Sequence, residues 1–177
     1  MDSASKHGDP VTCAEFPAKW RALADRVIAE YRDALGGDLL AVACFGSVVR
    51  GEPRPESDLD LYVVTHGEVT NLVDRRLNLV SRIRSSPEYQ GLLREGYHPD
   101  PMPIFHTATK LTTHPWILLD IVDHGVILFD PEGVLFREFE AVRTRLRELG
   151  SQRIQRPDGS WYWDLKPDWR PGEIVAL

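Results

Sequence analysis

Cysteine is scarce in this sequence of 177 residues, which contains Cys13 and Cys44 and no other. Two cysteines provide neither the disulfide framework of a small secreted domain nor a cysteine-based metal site. Cys44 lies in the apolar run LLAVACFG, which predicts a small buried side chain. The fold is therefore expected to depend on a hydrophobic core, for which a chain of this length is sufficient.

Long hydrophobic runs are also missing. No apolar stretch approaches the roughly 20 residues that a membrane-spanning helix requires. The N-terminal sequence MDSASKHGDP is polar and lacks the apolar segment of a signal peptide. Together these two absences predict a cytoplasmic protein that has no membrane partner.

The sequence also lacks an excess of basic residues, and its formal net charge is -6. Proteins that bind the phosphate backbone of nucleic acids are usually basic, so nucleic acid is not expected to be the main partner. A small anionic ligand that is held at one local site remains compatible with this charge.

The composition that is present is that of a globular protein, with 42% hydrophobic and 27% charged residues. No internal repeat, low-complexity segment or linker divides the chain. We expect a flexible tail over residues 1–12 and a single domain over residues 13–177. Within that domain, a helix and hairpin extension is expected from about residue 131.

Hydrophobic periodicity predicts a mixture of helices and strands. Helices are expected over PAKWRALADRVIAEYRDAL, EVTNLVDRRLNLVSRIR, SPEYQGLLREG, THPWILLDIVDH and PEGVLFREFEAVRTRLREL, and strands over DLLAVACF, DLDLYVV and MPIFHT. The segment VILFD is expected to be a short strand or an extended link. Thr113 is expected to cap the fourth helix, and a Pro-Asp-Gly turn predicts a C-terminal hairpin. The fold class is therefore α/β or α+β, a small mixed β-sheet flanked by helices.

Two aspartates stand one residue apart at the start of the strand DLDLYVV. Side chains at i and i+2 of a strand share a face, so Asp58 and Asp60 are expected to project together. Their carboxylates would repel each other, and a divalent cation such as Mg²⁺ or Mn²⁺ would relieve that repulsion. Because alternating polar residues also line the solvated face of ordinary sheets, this pair alone is weak support for a metal site.

A glycine-serine turn precedes the aspartates. Gly46 would let the backbone approach a ligand, and Ser47 adds a hydroxyl and a backbone N–H. If a helical turn begins there, its free N–H groups favour a phosphate. A phosphate beside a metal is the layout that a nucleoside triphosphate requires. Arg50, in the intervening turn, is either a solvated loop charge or a contact to the triphosphate.

The segment from residue 39 to residue 64 resembles the signature of the nucleotidyltransferases related to DNA polymerase β, and in particular the minimal nucleotidyltransferase type. The resemblance implies a metal-dependent enzyme. Such an enzyme moves a nucleoside monophosphate from a nucleoside triphosphate, here expected to be ATP, to a hydroxyl of a small-molecule or protein acceptor. It also implies catalytic and metal-binding roles for Asp58 and Asp60, and nucleotide-binding roles for Gly46, Ser47, Arg50 and Ser57.

The sequence departs from the family pattern at the third carboxylate, which the family usually places on a later strand. The corresponding strand, MPIFHT, contains no acid. His106 is the only ligand-type side chain in it, and Asp100 lies just before it. Either residue could complete the metal site, or a third ligand could be absent.

A binding or regulatory protein on the same fold is the alternative. Small nucleotidyltransferase domains of this kind often pair with a helical partner in toxin–antitoxin systems, so the resemblance also allows a catalytically weak, antitoxin-like protein or a homodimer. The aromatic residues near the C-terminus predict a packed hairpin or, alternatively, a surface for an acceptor or a second subunit. These residues are Trp161, Tyr162, Trp163 and Trp169.

Overall fold

The computed structural model describes residues 16–69, 72–158 and 160–177. The expected flexible tail, residue Cys13 and the glycine of the Pro-Asp-Gly turn lie outside the described residues. Across the described parts of the chain, no helix combines the length and the apolar character that are needed to cross a membrane.

The described chain alternates helices and strands much as the periodicity predicts. The elements are α1 (Ala18–Leu35), β1 (Leu39–Phe45), β2 (Leu59–Thr65), α2 (Leu72–Arg84), α3 (Pro87–Arg94), β3 (Pro101–Thr107), α4 (Ala108–Leu111), α5 (Ile117–His124), β4 (Val126–Phe129), α6 (Val134–Leu149), β5 (Gln152–Gln155) and β6 (Trp161–Asp164). A short 3₁₀ turn joins α1 to β1.

Four of the strands form one mixed sheet in the order β3-β2-β1-β4. Strand β1 pairs antiparallel with both β2 and β4, whereas β2 and β3 run parallel. The parallel pair requires a long crossover connection, which α2 and α3 provide. Strands β5 and β6 form a separate antiparallel hairpin. The predicted mixed sheet with flanking helices is thus confirmed, and it includes the short strand β4.

Both faces of the sheet are covered, which explains why β1 and β2 are almost uninterrupted apolar runs. On one face, Val42 and Leu61 pack in a core with residues of α1 and α3. On the other face, Ala43 and Tyr62 pack in a core with residues of α5 and α6. We call the second the α5 face. Asp60 belongs to this face because it lies two residues before Tyr62 on β2.

The segment before α5 differs from the prediction, because Thr113 does not cap that helix. The Thr113 hydroxyl donates instead to the carbonyl of Lys110, at 2.8 Å. Lys110 belongs to α4, a short helix that was not predicted and that the Thr107 hydroxyl caps by accepting the Lys110 N–H at 3.1 Å. Local side-chain bonds of this kind compete with a longer helix, and α5 begins only at Ile117.

The C-terminal hairpin is attached to the end of α5. Arg153 donates to Asp123 Oδ2 at 2.8 Å and to His124 Nε2 at 2.7 Å. Its guanidinium lies over the ring of Trp161, 4.2 Å from the centroid. Trp163 packs against the core of the α5 face. Part of the aromatic cluster is therefore packed, as one of the two interpretations expected.

Candidate functional site

The two halves of the predicted motif meet at one edge of the sheet, where β1 ends and β2 begins. Phe45, the last residue of β1, pairs with Asp60 of β2. Gly46 follows Phe45 directly, and Asp58 immediately precedes β2. The antiparallel pairing therefore brings the glycine-serine turn beside the two aspartates. We call this part of the molecule the motif edge.

Gly46 lies against the carboxylate of Asp60. Its φ is +83°, in the left-handed region that favours glycine. A Cβ atom at this position would lie 2.1 Å from Oδ2 of Asp60 and 3.1 Å from its carboxyl carbon. The glycine was predicted to let a ligand approach the backbone. In the structure, the missing side chain also leaves the space that the Asp60 carboxylate fills.

Two serines close the turn between the halves of the motif. The hydroxyls of Ser47 and Ser57 are 2.9 Å apart, and Ser57 Oγ accepts the N–H of Arg54 at 2.9 Å. The Ser47 carbonyl accepts the N–H of Glu52 at 3.0 Å. Residues 47–51 form a hydrogen-bonded turn and not the helical turn that was considered. Any phosphate contact would therefore come from the turn itself and not from a helix N-terminus.

The carboxyl group of Asp60 is poorly stabilised in its charged form. Burial, the larger cause, and the negative charge of Asp58 together raise its pKa to about 6, and the positive charge of Arg50 opposes the rise. An ordinary aspartate has a pKa of about 3.9. At neutral pH, Asp60 is therefore an ionised group that would gain from an adjacent cation.

We expect Asp60→Asn to stabilise the metal-free protein at pH 8. An acid whose pKa is higher in the folded state than in the unfolded state binds more protons when folded, so its ionisation lowers the free energy of unfolding. That cost is fully present above pH 6 and disappears as the pH falls from about 6 toward 4. Thermal unfolding in EDTA would show a higher Tm for the variant at pH 8 and a shrinking difference at lower pH. A Tm at or below that of the wild type at pH 8 would contradict the prediction.

A second acid, Asp120, is influenced by the same arginine as Asp60, namely Arg50. The exposed guanidinium acts on Asp60 and also on Asp120 of α5, whose pKa is nevertheless raised, mainly by burial. Helix α5 reaches this region because it leads into β4, whose residue Val126 pairs with Cys44 of β1. The sequence places Asp120 within a predicted helix, but its spacing alone does not show where that helix packs.

Asp100, one candidate for the third acid, is engaged elsewhere. Its carboxylate accepts from Arg84 Nε at 3.0 Å and from Arg84 Nη2 at 2.6 Å. It also accepts from the hydroxyl of Tyr89 at 2.8 Å. The hydrogen bonds from Arg84 in particular hold the pKa of Asp100 below its usual value. Asp100 is thus a fixed, ionised group whose oxygens face α2 and α3.

His106, the other candidate, is also separated from the aspartates. Its Nδ1 lies 2.8 Å from the hydroxyl of Tyr62, and burial lowers its pKa. The register of β2 and β3 places Met102 beside Asp60. His106 lies four residues further along β3, which is about 13 Å at the usual rise per residue. A methionine therefore occupies the strand position nearest to Asp60.

The donor set of the motif edge consists of two carboxylates. Within the part of the chain that the structure describes, no three side chains of His, Cys, Asp or Glu come together as a metal cluster. Magnesium commonly binds to one or two carboxylates and completes its octahedron with water and substrate phosphates. Asp58 and the poorly stabilised Asp60 fit that mode, and they do not form an all-protein metal cage.

Sequence reasoning missed the residues that surround the motif edge. Arg84 and Tyr89 hold Asp100, and Tyr62 holds His106. Only Tyr62 carried a usable signal, because its alternation with Asp60 on β2 predicts that they share a face. The positions of Arg84 and Tyr89 depend on how two helices pack on the sheet, which no local pattern reveals.

One protein-family model matches the part of the chain that contains the motif edge. Residues 25–106 match the family model described as a nucleotidyltransferase domain. The matched stretch contains the whole of β1 and β2, and therefore both halves of the motif, and all of β3 except its last residue. No curated protein matches the chain.

Three solved structures illustrate the similarity. A toxin–antitoxin complex with AMP-PNP contains a chain that is 17% identical, with a TM-score of 0.44, and the alignment covers 71% of this chain and 91% of that one. Spectinomycin adenyltransferase from Enterococcus faecialis, with ATP and spectinomycin, is 15% identical, with a TM-score of 0.47 and coverages of 72% and 66%. A chain in a complex of the Shewanella oneidensis HEPN toxin with the MNT antitoxin is 14% identical, with a TM-score of 0.40, and the alignment covers 74% of this chain and 92% of that one. At these identities the likeness is one of fold alone.

Proposed function

We propose that this chain, which is a nucleotidyltransferase-domain protein, transfers a nucleoside monophosphate from a nucleoside triphosphate to a hydroxyl group. The observation that carries the proposal is the motif edge itself. It combines Asp58, the raised-pKa carboxylate of Asp60 and the Gly46 that makes room for it. ATP is the expected donor, and the acceptor is a small molecule or a protein side chain.

Asp58 and Asp60 would hold Mg²⁺ or Mn²⁺ at this edge. When bound, the metal supplies positive charge for the triphosphate and lowers the pKa of an attacking hydroxyl. Two ionised carboxylates that repel each other in the free protein are relieved by that charge, so the protein is electrostatically prepared for a cation. This preparation supports metal dependence.

The turn would bind the phosphate end of the nucleotide. The hydroxyl groups of Ser47 and Ser57 lie 2.9 Å apart, and Arg50 in the same turn is exposed. A planar guanidinium suits phosphate oxygens, and its positive charge would offset the negative charge that builds up on the leaving pyrophosphate. In the transfer, the acceptor oxygen forms a bond to the α-phosphorus as the bond to pyrophosphate breaks.

Removal of the metal should weaken nucleotide binding strongly. We expect ATP to bind measurably in Mg²⁺ and at least about tenfold more weakly in EDTA, because the two aspartates would hold a metal whose positive charge favours the phosphates. Isothermal titration with a non-hydrolysable ATP analogue would measure binding. Incubation of α-labelled ATP with metabolite and protein fractions would measure transfer. Equal affinity with and without metal, or no binding in either condition, would refute the proposal.

A second candidate function is a regulatory role exercised through a protein partner. Two observations favour it: Met102 stands beside Asp60 where an acid would complete the site, and Trp116 and Phe136 are 71% and 58% exposed. Exposed aromatic side chains of this size occur at protein interfaces. Isolation of a stable complex from the native host, with nucleotide binding but no transfer by the chain alone, would favour this role.

A further inference from the structure

The carboxylate of Asp100 is held by three hydrogen bonds from two helices. Arg84, the last residue of α2, donates two bonds through Nε and Nη2, at 3.0 and 2.6 Å. The hydroxyl of Tyr89 in α3 donates the third, at 2.8 Å. A guanidinium that binds both oxygens of a carboxylate fixes its orientation as well as its position. We call Arg84, Tyr89 and Asp100 the Asp100 clamp.

The backbone beside the clamp is bonded to the motif edge. The carbonyl of Asp100 accepts the N–H of Leu59 at 2.9 Å, and Leu59 is the residue between the two aspartates. Two residues earlier, the N–H of His98 donates to the carbonyl of Pro55 at 2.8 Å. The segment from residue 98 to residue 100 therefore holds the motif turn at two points, one of them directly between Asp58 and Asp60.

We propose that Asp100 is a positioning residue for the metal-binding aspartates, and that Arg84 and Tyr89 hold it in place for that purpose. This inference rests on the proposed function, because it assigns the clamp a role at the same site. Asp100 was a candidate third ligand in the sequence. The structure assigns it instead to the support of the other two, through the Leu59 backbone.

The geometry explains how the clamp would act at a distance. Leu59 is fully buried, so its side chain is anchored in the core and its N–H has one direction in which to bond. A shift of the Asp100 carbonyl would rotate the peptide groups on either side of Leu59. These peptide groups join Leu59 to Asp58 and to Asp60, so both carboxylates would move away from the site at the motif edge.

The exposure of the clamp indicates that stability is not its main contribution. The side chains of Arg84 and Asp100 are 53% and 35% exposed. Ion pairs at such exposed sites typically contribute little to stability, because solvent screens them. Groups that orient metal ligands, in contrast, commonly change metal affinity by about 10- to 100-fold when they are removed. The clamp should therefore affect metal binding much more than unfolding.

Mn²⁺ binding to the full chain, followed by electron paramagnetic resonance, tests the clamp. We expect Asp100→Asn and Arg84→Met each to weaken Mn²⁺ binding by about tenfold or more. Tyr89→Phe, which removes a single hydroxyl, should have a smaller effect in the same direction. Amide exchange at Leu59 should become faster in the two stronger variants, which a purely stabilising role elsewhere would not produce.

Arg82→Met is the matched control. Arg82 lies two residues before Arg84 on α2, and it pairs with Glu30 at 2.9 Å and with Asp33 at 3.1 Å, both on α1. Its replacement removes ion pairs that the same helix makes with α1, one of them to the buried Glu30, without touching the motif turn. We expect Mn²⁺ affinity within about twofold of the wild type, since distant sites act independently.

Three outcomes are distinguishable. Selective weakening by the Asp100 and Arg84 variants supports the clamp. Wild-type Mn²⁺ affinity in both variants, or a loss no greater than that of Arg82→Met, overturns it. If the wild type does not bind Mn²⁺, or if Asp60→Asn leaves binding unchanged, the proposed function is refuted, and the clamp proposal, which rests on it, is refuted as well.

Discussion

Asp60→Asn and Asp58→Asn are expected to eliminate metal-dependent nucleotide binding and transfer. Each substitution removes one of the two carboxylates at the motif edge and replaces it with a neutral group of the same shape. Removing a group that merely orients a metal ligand costs about 10- to 100-fold in affinity or activity. Loss of the ligand itself should exceed about 100-fold in transfer rate.

The measurement is the transfer of α-labelled nucleotide, with Mg²⁺ affinity measured in parallel. Asp38→Asn, a neutral substitution at an exposed position in the 3₁₀ turn before β1, is the control and should leave both quantities unchanged. The Asp60 variant has an internal check of folding as well, because it should be more stable than the wild type at pH 8. A variant that is more stable, inactive and unable to bind metal would show that Asp60 serves function at the expense of stability.

The residual metal binding and activity of the two variants would show which aspartate contributes more. The Asp60 carboxylate lies against Gly46, and burial is the main cause that raises its pKa, to about 6. We therefore expect the Asp60 variant to lose metal binding more completely than the Asp58 variant. Full activity in either variant would contradict the assignment of that residue to the metal.

The motif edge could be predicted from the sequence because its information is local. The two aspartates share a face through the two-residue period of a strand, and β1 and β2 are consecutive strands that pair. The register then brings Phe45 opposite Asp60, with Gly46 immediately after it. The nucleotidyltransferase domain expected from this segment is confirmed by the family match over residues 25–106. The roles of the individual residues stay predictions.

The surroundings of the motif edge could not be predicted, because they depend on packing between elements that are distant in sequence. Nothing in the sequence near Asp100 shows that Arg84 and Tyr89 will bind it, since the contacts follow from how α2 and α3 cross the sheet. Helix α4 was missed for a different reason. It lies before the predicted helix start at Thr113, and it depends on local bonds from the side chains of Thr107 and Thr113 to the backbone of Lys110.

Gly46→Ala is expected to displace the Asp60 carboxylate and so to weaken metal binding strongly. The added Cβ would stand 2.1 Å from Asp60 Oδ2, which is far inside the contact distance of carbon and oxygen. The end of a side chain can rotate away, so the fold should survive. The carboxylate would then no longer lie beside Asp58. We expect a loss of metal affinity of about tenfold or more, comparable to the loss of an orienting group.

Backbone strain must be separated from that displacement, because Gly46 has a φ of +83° and any side chain there costs about 1–3 kcal/mol. Gly96→Ala is the matched control: Gly96 has a φ of +89°, and a Cβ there would meet nothing within 4 Å. Both variants should therefore show a lower Tm. Only Gly46→Ala should lose Mn²⁺ and nucleotide binding, as measured by paramagnetic resonance and titration calorimetry. If both glycine variants bind Mn²⁺ equally well, the close contact between Gly46 and Asp60 does not position the carboxylate for a metal.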